Sequence, residues 1–309
     1  MTAAAGVRIG WDDVPAHVRA GVEQILGSPV VEARSQPGGF SPGTADRVCT
    51  EDGRRAFVKA AGLSLNEGTV RLHRREADVS ADLGDEVPAP TLLGSYDDGD
   101  WVALVLDDVE GRLPRTPWDG DELSAVLAAL RRLATAPLTA GQRAFRQARD
   151  VLQDDFAGWL RIADEPPPQL DPWARDHLAG LATCAARVLP RLTGDSLLHL
   201  DIRADNLLLR PDGEVVIVDW PWAARGPVWV DTLLLLVNVN LFGGHDVESL
   251  VAEHVAAEPD DVTGFLAAIT GYFLDAARRP GSPGLPTVRA FQAEQGRRTL
   301  DWVRRRLTG

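Results

Sequence analysis

Cysteine is scarce in this 309-residue chain. There are two, Cys49 and Cys184, far apart and without a C-x-x-C spacing, so neither a disulfide framework nor a cysteine-based zinc site is indicated. Positive charge is also in deficit. The chain has 32 basic against 45 acidic residues and a net charge of −13, a balance that argues against nucleic acid or an anionic membrane as partner and mildly favours a cationic ligand. Long hydrophobic runs are missing too, since the longest, around 233–237, is far too short to span a bilayer. Residues 1–10 lack the basic region and apolar core of a signal peptide, so a cytoplasmic location is expected. The glycine-rich loop 37–43 matches neither G-x-G-x-x-G nor the G-K-[ST] of a Walker loop, and no internal repeat or low-complexity segment is found.

What is present begins with 45% hydrophobic residues, enough for a sizeable core. The length suggests one large two-lobed unit or two domains. The most informative stretch is 197–219, L-L-H-L-D-I-R-A-D-N-L-L-L-R-P-D-G-E-V-V-I-V-D. Its two short apolar runs, 206–209 and 215–218, flank the turn 211–213 and read as a β-hairpin. Asp201 precedes this hairpin, Asn206 opens it and Asp219 closes it, so folding gathers three oxygen-bearing side chains at one end. Such groups suit a hard cation such as Mg²⁺, which completes its shell with water and substrate phosphates. Asp and Asn are also common turn formers; the spacing of all three around one hairpin favours a phosphoryl-transfer site.

Upstream, residues 11–27 read as a helix ending at Gly27, followed by strands at 30–35, 44–50 and 56–60, a helix at 65–83, and strands at 91–96 and 101–107. From residue 120 the pattern turns helical, with helices expected at 123–136, 142–162 and 172–189 and Pro166, Pro167 and Pro168 as breakers. Further helices are expected at about 229–242, 247–257, 262–278 and 287–307.

The pattern H-x-D-x-x-x-x-N followed by an Asp resembles the catalytic and metal-binding segments of the protein-kinase-like fold, and most of all the aminoglycoside phosphotransferase family. His199-Leu200-Asp201 lacks the Arg of H-R-D, and Asp219-Trp220-Pro221 stands where protein kinases carry D-F-G. The resemblance implies an α+β, two-lobed fold: an N-terminal lobe, 1–106, with a five-stranded antiparallel sheet and one main helix; a hinge, 107–111; and a mostly helical C-terminal lobe, 112–309. It implies that Asp201 is the catalytic base and that Asn206 and Asp219 hold Mg²⁺. Gly39, Phe40 and Ser41 of the glycine loop would approach the phosphates, and Leu106, the Asp107 carbonyl and the Val109 amide would hold the adenine of ATP (or GTP). Asp231 would brace the catalytic loop.

Lys59, a lone ammonium in an apolar strand, would contact phosphates and pair with a helix Glu. Periodicity selects Glu76, on the inward row Leu72, Glu76, Val79, Leu83, over Glu67, on the all-charged row Glu67, Arg71, Arg74, Asp78. An acid on a buried face needs a partner.

The expected activity is ATP-dependent transfer of the γ-phosphoryl group to a hydroxyl of a small molecule. An antibiotic of aminoglycoside, nucleoside or macrolide type is one acceptor class, which would make the enzyme a resistance factor; a metabolite such as choline, homoserine or a sugar is the alternative. Lys59, Asp201, Asn206 and Asp219 together disfavour a non-catalytic pseudokinase. A protein kinase is disfavoured because 220–230 contains no Ser, Thr or Tyr. For a cationic acceptor the acids Asp154, Asp155, Asp205 and Asp246 are available. Trp118, Trp159, Trp222 and Trp229 could instead stack on a flat one.

Overall fold

The computed structural model describes residues 8–36, 41–281 and 284–308. Helix α1 (Ala16–Leu26) ends at Gly27, whose φ of 79° is the left-handed cap that glycine adopts without strain. Strands β1 (Val30–Ser35), β2 (Thr44–Thr50), β3 (Arg55–Gly62), β4 (Leu92–Asp97) and β5 (Trp101–Asp107) form one antiparallel sheet in the order β1-β2-β3-β5-β4. Side chains alternate across it. Ala56, Val58 and Ala60 of β3, with Ala103 and Val105 of β5, pack on Val18, Val22 and Leu26 of α1. The opposite face carries Ala61, Val102 and Leu104, which meet Val70 of helix α2 (Glu67–Asp82). Lys59 shares that second face by the same alternation.

The remainder is largely helical: α3 (Gly120–Thr135), α4 (Ala148–Leu152), α5 (Gly158–Asp164), α6 (Pro172–Asp176), α7 (Leu178–Val188), then α8 (Val230–Phe242), α9 (Val247–His254), α10 (Pro259–Ala277) and α11 (Val288–Thr308). Between them lie two small ladders. Strand β6 (Ser196–Leu198) pairs with β9 (Ala224–Gly226), and β7 (Leu207–Leu209) with β8 (Val215–Ile217). The whole is α+β with a kinase-like arrangement. No helix among the described residues is long and apolar enough to cross a membrane.

Two expected helices are broken. The span 142–162 divides into a 3₁₀ turn, α4, a second 3₁₀ turn and α5, because Gln147 is drawn into tertiary pairing. It forms a bridge with Arg225, and its side-chain oxygen accepts from the Gly194 amide at 2.9 Å. The span 172–189 stops at His177, where φ is −112° and ψ 11°; the imidazole bonds the Trp173 carbonyl at 2.7 Å and stacks on the Trp173 ring. The β6–β9 ladder has no signal in the sequence reading, since three-residue strands are too short to show alternation.

Helix α5 docks tightly on α10. Trp159 donates its indole N–H to the Ala267 carbonyl at 2.6 Å, and a Cβ on Gly158 would lie 2.4 Å from the Gly271 carbonyl carbon. Gly158→Ala is therefore expected to lower the unfolding free energy by roughly 1–3 kcal/mol through overpacking. Gly180→Ala, at an exposed position of α7 with nothing near the added methyl, should raise it by about 0.5–1 kcal/mol. Urea unfolding of the two variants against the parent checks both signs.

Candidate active site

The loop bearing Asp201 is fixed at both ends. Strand β6 leads into it and β7 leaves it, while Asp231, in the first turn of α8, accepts the His199 amide at 2.7 Å and the Leu200 amide at 2.9 Å. Leu200 sits at φ 66°, a left-handed conformation that costs a branched residue of order 1–3 kcal/mol and persists only where surroundings impose it. His199 is fully buried. Its Nε2 faces the Val218 carbonyl at 3.0 Å and its Nδ1 accepts the Asp201 amide at 3.2 Å, which assigns the proton to Nε2. Burial lowers its pKa and keeps the ring neutral.

Asn206 closes the loop. Its amide nitrogen donates to the Asp201 carbonyl at 2.8 Å and to Asp201 Oδ2 at 3.1 Å, leaving Asn206 Oδ1 without a donor among the described residues. Arg203 approaches Asp201 Oδ1 at 3.4 Å and forks onto both oxygens of Asp205 at 3.0 Å. Burial raises the Asp201 pKa; Arg203 opposes this, whereas Asp205 and Asp219 add to it.

Across the cleft, Lys59 joins three elements. Its Nζ donates to Glu76 Oε1 and Oε2 at 2.7 and 2.9 Å, and to Asp219 Oδ1 at 2.7 Å. Burial alone would lower the Lys59 pKa, but Asp219 and Glu76 outweigh it and raise it. Burial likewise pushes against ionised Asp219, yet Lys59 holds that carboxyl well below the usual range. Burial raises Glu76, so Asp219 is the more acidic of the two. Glu76 reaches inward with Val79 and Leu83, while Leu72 is half-buried and His73 takes the inward place beside them. Burial and the nearby Lys59 push His73 down to about 3. Asp219 itself is at φ 70°, a second non-glycine residue held left-handed at the site.

Among the described residues no group of three or more His, Cys, Asp and Glu is arranged to hold a metal. Asn206 Oδ1 and the second Asp219 oxygen are hard donors, and such a partial set fits Mg²⁺, which binds through one or two carboxylates together with phosphates and water.

The segment after β5 is anchored by Asp108, which pairs with Arg47 at 2.5 Å and Arg55 at 2.7 Å. Arg112 and Leu209 exchange backbone hydrogen bonds at 3.0 and 2.8 Å, tying this segment to the β7–β8 hairpin. Leu106 is buried, in register with Phe57 of β3, on the Lys59 face. Asp107 is exposed and Val109 half-buried beyond it. Ser41 accepts a hydrogen bond from Arg8 through its carbonyl at 2.7 Å. Gly39 and Phe40 lie outside the described residues.

A cavity of about 270 Å³ opens beside Asp201. Of the four acids singled out in the sequence, Asp155 lines it. Asp154 faces solvent beside Arg161, Asp205 is engaged by Arg203, and Asp246 caps α9 by accepting the Glu248 and Ser249 amides. Of the four tryptophans only Trp222 lines it. Trp118, Trp159 and Trp229 are core residues, because each apolar ring is taken up by helix packing.

Sequence reasoning missed Arg203, Asp108 and the α11 wall formed by Phe291, Gln292 and Gln295. One legible signal went unused: Lys59 is the chain's only lysine, so every other cationic side chain on the scaffold is an arginine or histidine.

A Lys59–Glu76 pair between an antiparallel sheet and the helix packed on it, facing a loop and hairpin that present Asp201, Asn206 and Asp219, places the chain in the kinase-like class. The model of the phosphotransferase enzyme family (APH) matches residues 38–267, and the chain belongs to that family. It is a phosphotransferase. Solved structures of like fold include a spectinomycin phosphotransferase in complex with ADP and spectinomycin (11% identity, 91% of this chain and 97% of that one, TM-score 0.61). The choline kinase LicA from Streptococcus pneumoniae is similar at 12% identity over 93% and 98% of the two chains, TM-score 0.62. An aminoglycoside phosphotransferase from Alicyclobacillus acidocaldarius is similar at 16% identity over 89% and 92%, TM-score 0.52. No curated protein matches the chain by sequence.

Asp231→Ala would strip two buried amides of their acceptor. It is expected to lower the unfolding free energy by about 2–4 kcal/mol, with Asp231→Asn, which keeps one oxygen acceptor, losing less; thermal and chemical denaturation of both variants measure this.

Proposed function

We propose that this phosphotransferase moves the γ-phosphoryl group of ATP onto a hydroxyl of a small molecule. The observation that carries the reading is the Lys59 junction: one ammonium held by Glu76 and Asp219 at the mouth of a loop that points Asp201 into a cavity. Phosphoryl transfer needs positioning and charge neutralisation above all, since its transition state is loose and its charge lies on phosphoryl oxygens. Lys59 supplies positive charge to the inner phosphates. Asn206 and Asp219 would hold Mg²⁺, which when bound neutralises charge on the triphosphate. Leu106 walls the adenine, with the Asp107 carbonyl and the Val109 amide as its main-chain partners, and 107–111 is the hinge. Asp201 accepts the hydroxyl proton as the acceptor oxygen bonds to the γ-phosphorus and the bond to the ADP oxygen breaks.

The acceptor is drawn from hydroxylated antibiotics, and phosphorylation would inactivate it. The second reading, a metabolic kinase, is supported by the likeness to a choline kinase at a TM-score equal within 0.01 to that of the spectinomycin enzyme. An ADP-release assay over both kinds of hydroxylated compound, with mass spectrometry for the added phosphoryl group, separates the two.

Asp201→Ala is expected to reduce transfer by about 10²–10⁴-fold while ATP binding, measured by calorimetry, stays near that of the parent. Turnover within a few-fold of the parent would remove Asp201 from the role of base. The solitary lysine gives an independent check on ATP use. An acyl-phosphate derivative of ATP, which acylates nearby amines, should label Lys59 in a tryptic map, and excess ATP should protect it. Labelling that ATP does not suppress would contradict a nucleotide site at β3.

A further inference from the structure

The cavity beside Asp201 holds more chemistry than the transfer step uses. Its body is apolar and aromatic, with Trp222, Phe273 and Phe291 among its walls. Its charged groups are Asp201, Arg203 and Asp155. The first two lie 3.4 Å apart and offset each other. Asp155 makes no hydrogen bond or ion pair among the described residues. Arg161 and Arg279, near enough to act on it, are committed to Asp275 at 2.7 and 2.5 Å. Burial, reinforced by Asp154, pushes the Asp155 carboxyl up to about 6, the mark of a carboxylate short of a counter-ion.

Two buried amides face the same space with unmet hydrogen-bonding capacity. Asn238 is 2% exposed. Its Oδ1 accepts from Trp118 Nε1 at 3.2 Å and from the Ala204 amide at 3.3 Å, which fixes the amide orientation and leaves its NH₂ without an acceptor among the described residues. Gln295, 5% exposed on α11, makes no side-chain hydrogen bond to a described residue. Both residues line the cavity, so their free amide groups are placed to meet the polar groups of a bound molecule there.

Two of the aromatic rings, Trp222 and Phe291, already have a cationic neighbour. Arg75 lies 5.1 Å from the Trp222 ring centre and Arg203, itself in the lining, lies 5.9 Å from that of Phe291, so positive charge beside these two rings disfavours them as a cage for a quaternary ammonium. A polycation finds one unpaired carboxylate and no more in the lining.

We propose that the acceptor is a compact, largely apolar amino alcohol with a single N–H-bearing ammonium. The ammonium pairs with Asp155, the hydroxyl meets Asp201, and a neighbouring carbonyl or hydroxyl is held by Asn238 and Gln295. This rests on the phosphotransferase reading with Asp201 as base. It excludes both the polycationic aminoglycosides and quaternary amines as preferred acceptors.

Four probes test the assignment by calorimetric binding to the full chain, which needs no turnover. They are L-phenylalaninol, its neutral N-acetyl derivative, choline and kanamycin. L-Phenylalaninol should bind about ten- to a hundredfold more tightly than each of the other three, the scale of one charge-assisted hydrogen bond. Asp155→Asn, folded as judged by its melting curve, should abolish the preference over the N-acetyl compound, and Asp155→Glu should retain part of it. Gln295→Leu should weaken phenylalaninol about tenfold. The proposal is overturned by equal or tighter binding of choline, kanamycin or the neutral probe. It is equally overturned if the preference survives in Asp155→Asn, or if L-phenylalaninol shows no saturable binding. Mass spectrometry after incubation with ATP and Mg²⁺ reports separately on the parent reading. Amine-selective binding without phosphorylation would refute the transfer and leave the site, whereas kanamycin phosphorylation would refute the site and leave the transfer.

Discussion

One ammonium joins the two halves of this protein. Lys59 comes from the central region of the sheet, Glu76 from the helix packed on it and Asp219 from the end of the β7–β8 hairpin. Each carboxylate would be costly where it stands without the charge between them, because a buried ion is tolerated only when paired. The junction therefore constrains the packing of α2 on the sheet and the approach of the hairpin to both. It also fixes where negative charge is gathered and where a phosphate chain would have to compete for the same lysine.

Around this junction the backbone is held in conformations it would not choose. Leu200 and Asp219 are both left-handed, and each is locked by neighbours: Leu200 by the Asp231 carboxylate, Asp219 by Lys59. His199 spans the two, bonded to the amide of Asp201 and the carbonyl of Val218. The Asp201 loop and the hairpin end thus share one scaffold, so the positions of Asp201 and Asp219 are set together. That coupling accounts for two polar residues, His199 and Asp231, being buried as deeply as the core around them.

The acceptor side follows a different logic. The net charge of −13 describes the long-range field, which steers ligands, but most individual acids are spent on local tasks. Asp205 answers Arg203, Asp275 answers three arginines and Asp246 caps a helix. What remains in the cavity is Asp155, a carboxylate with no ion pair among the described residues, set in largely apolar walls. Counting acids along the chain therefore overstates the charge that a bound molecule would meet.

Local order was legible wherever chemistry repeats at short range. Alternation gave the sheet strands, Gly27 gave the end of α1, and Pro-Asp-Gly between two apolar runs gave the β7–β8 hairpin and with it the convergence of Asp201, Asn206 and Asp219. The 3.6-residue period also separated Glu76 from Glu67, because a helix against a sheet has one buried stripe. Asp155 could not be told from Asp154 in the same way: the residues are adjacent, and only the packing on α10 of the 3₁₀ turn Asp155–Ala157 decides which carboxylate turns inward. Trp222 could not be told from Trp118, Trp159 and Trp229, since a large ring serves a core as well as a cavity. The α11 wall, more than eighty residues from Asp201 along the chain, carries no local mark. The sequence by itself determined the elements and the reactive residue types, because propensity, periodicity and turn chemistry act over a few residues. Only the tertiary structure decided which acids and aromatics line the cavity beside Asp201, because burial and pairing depend on long-range packing.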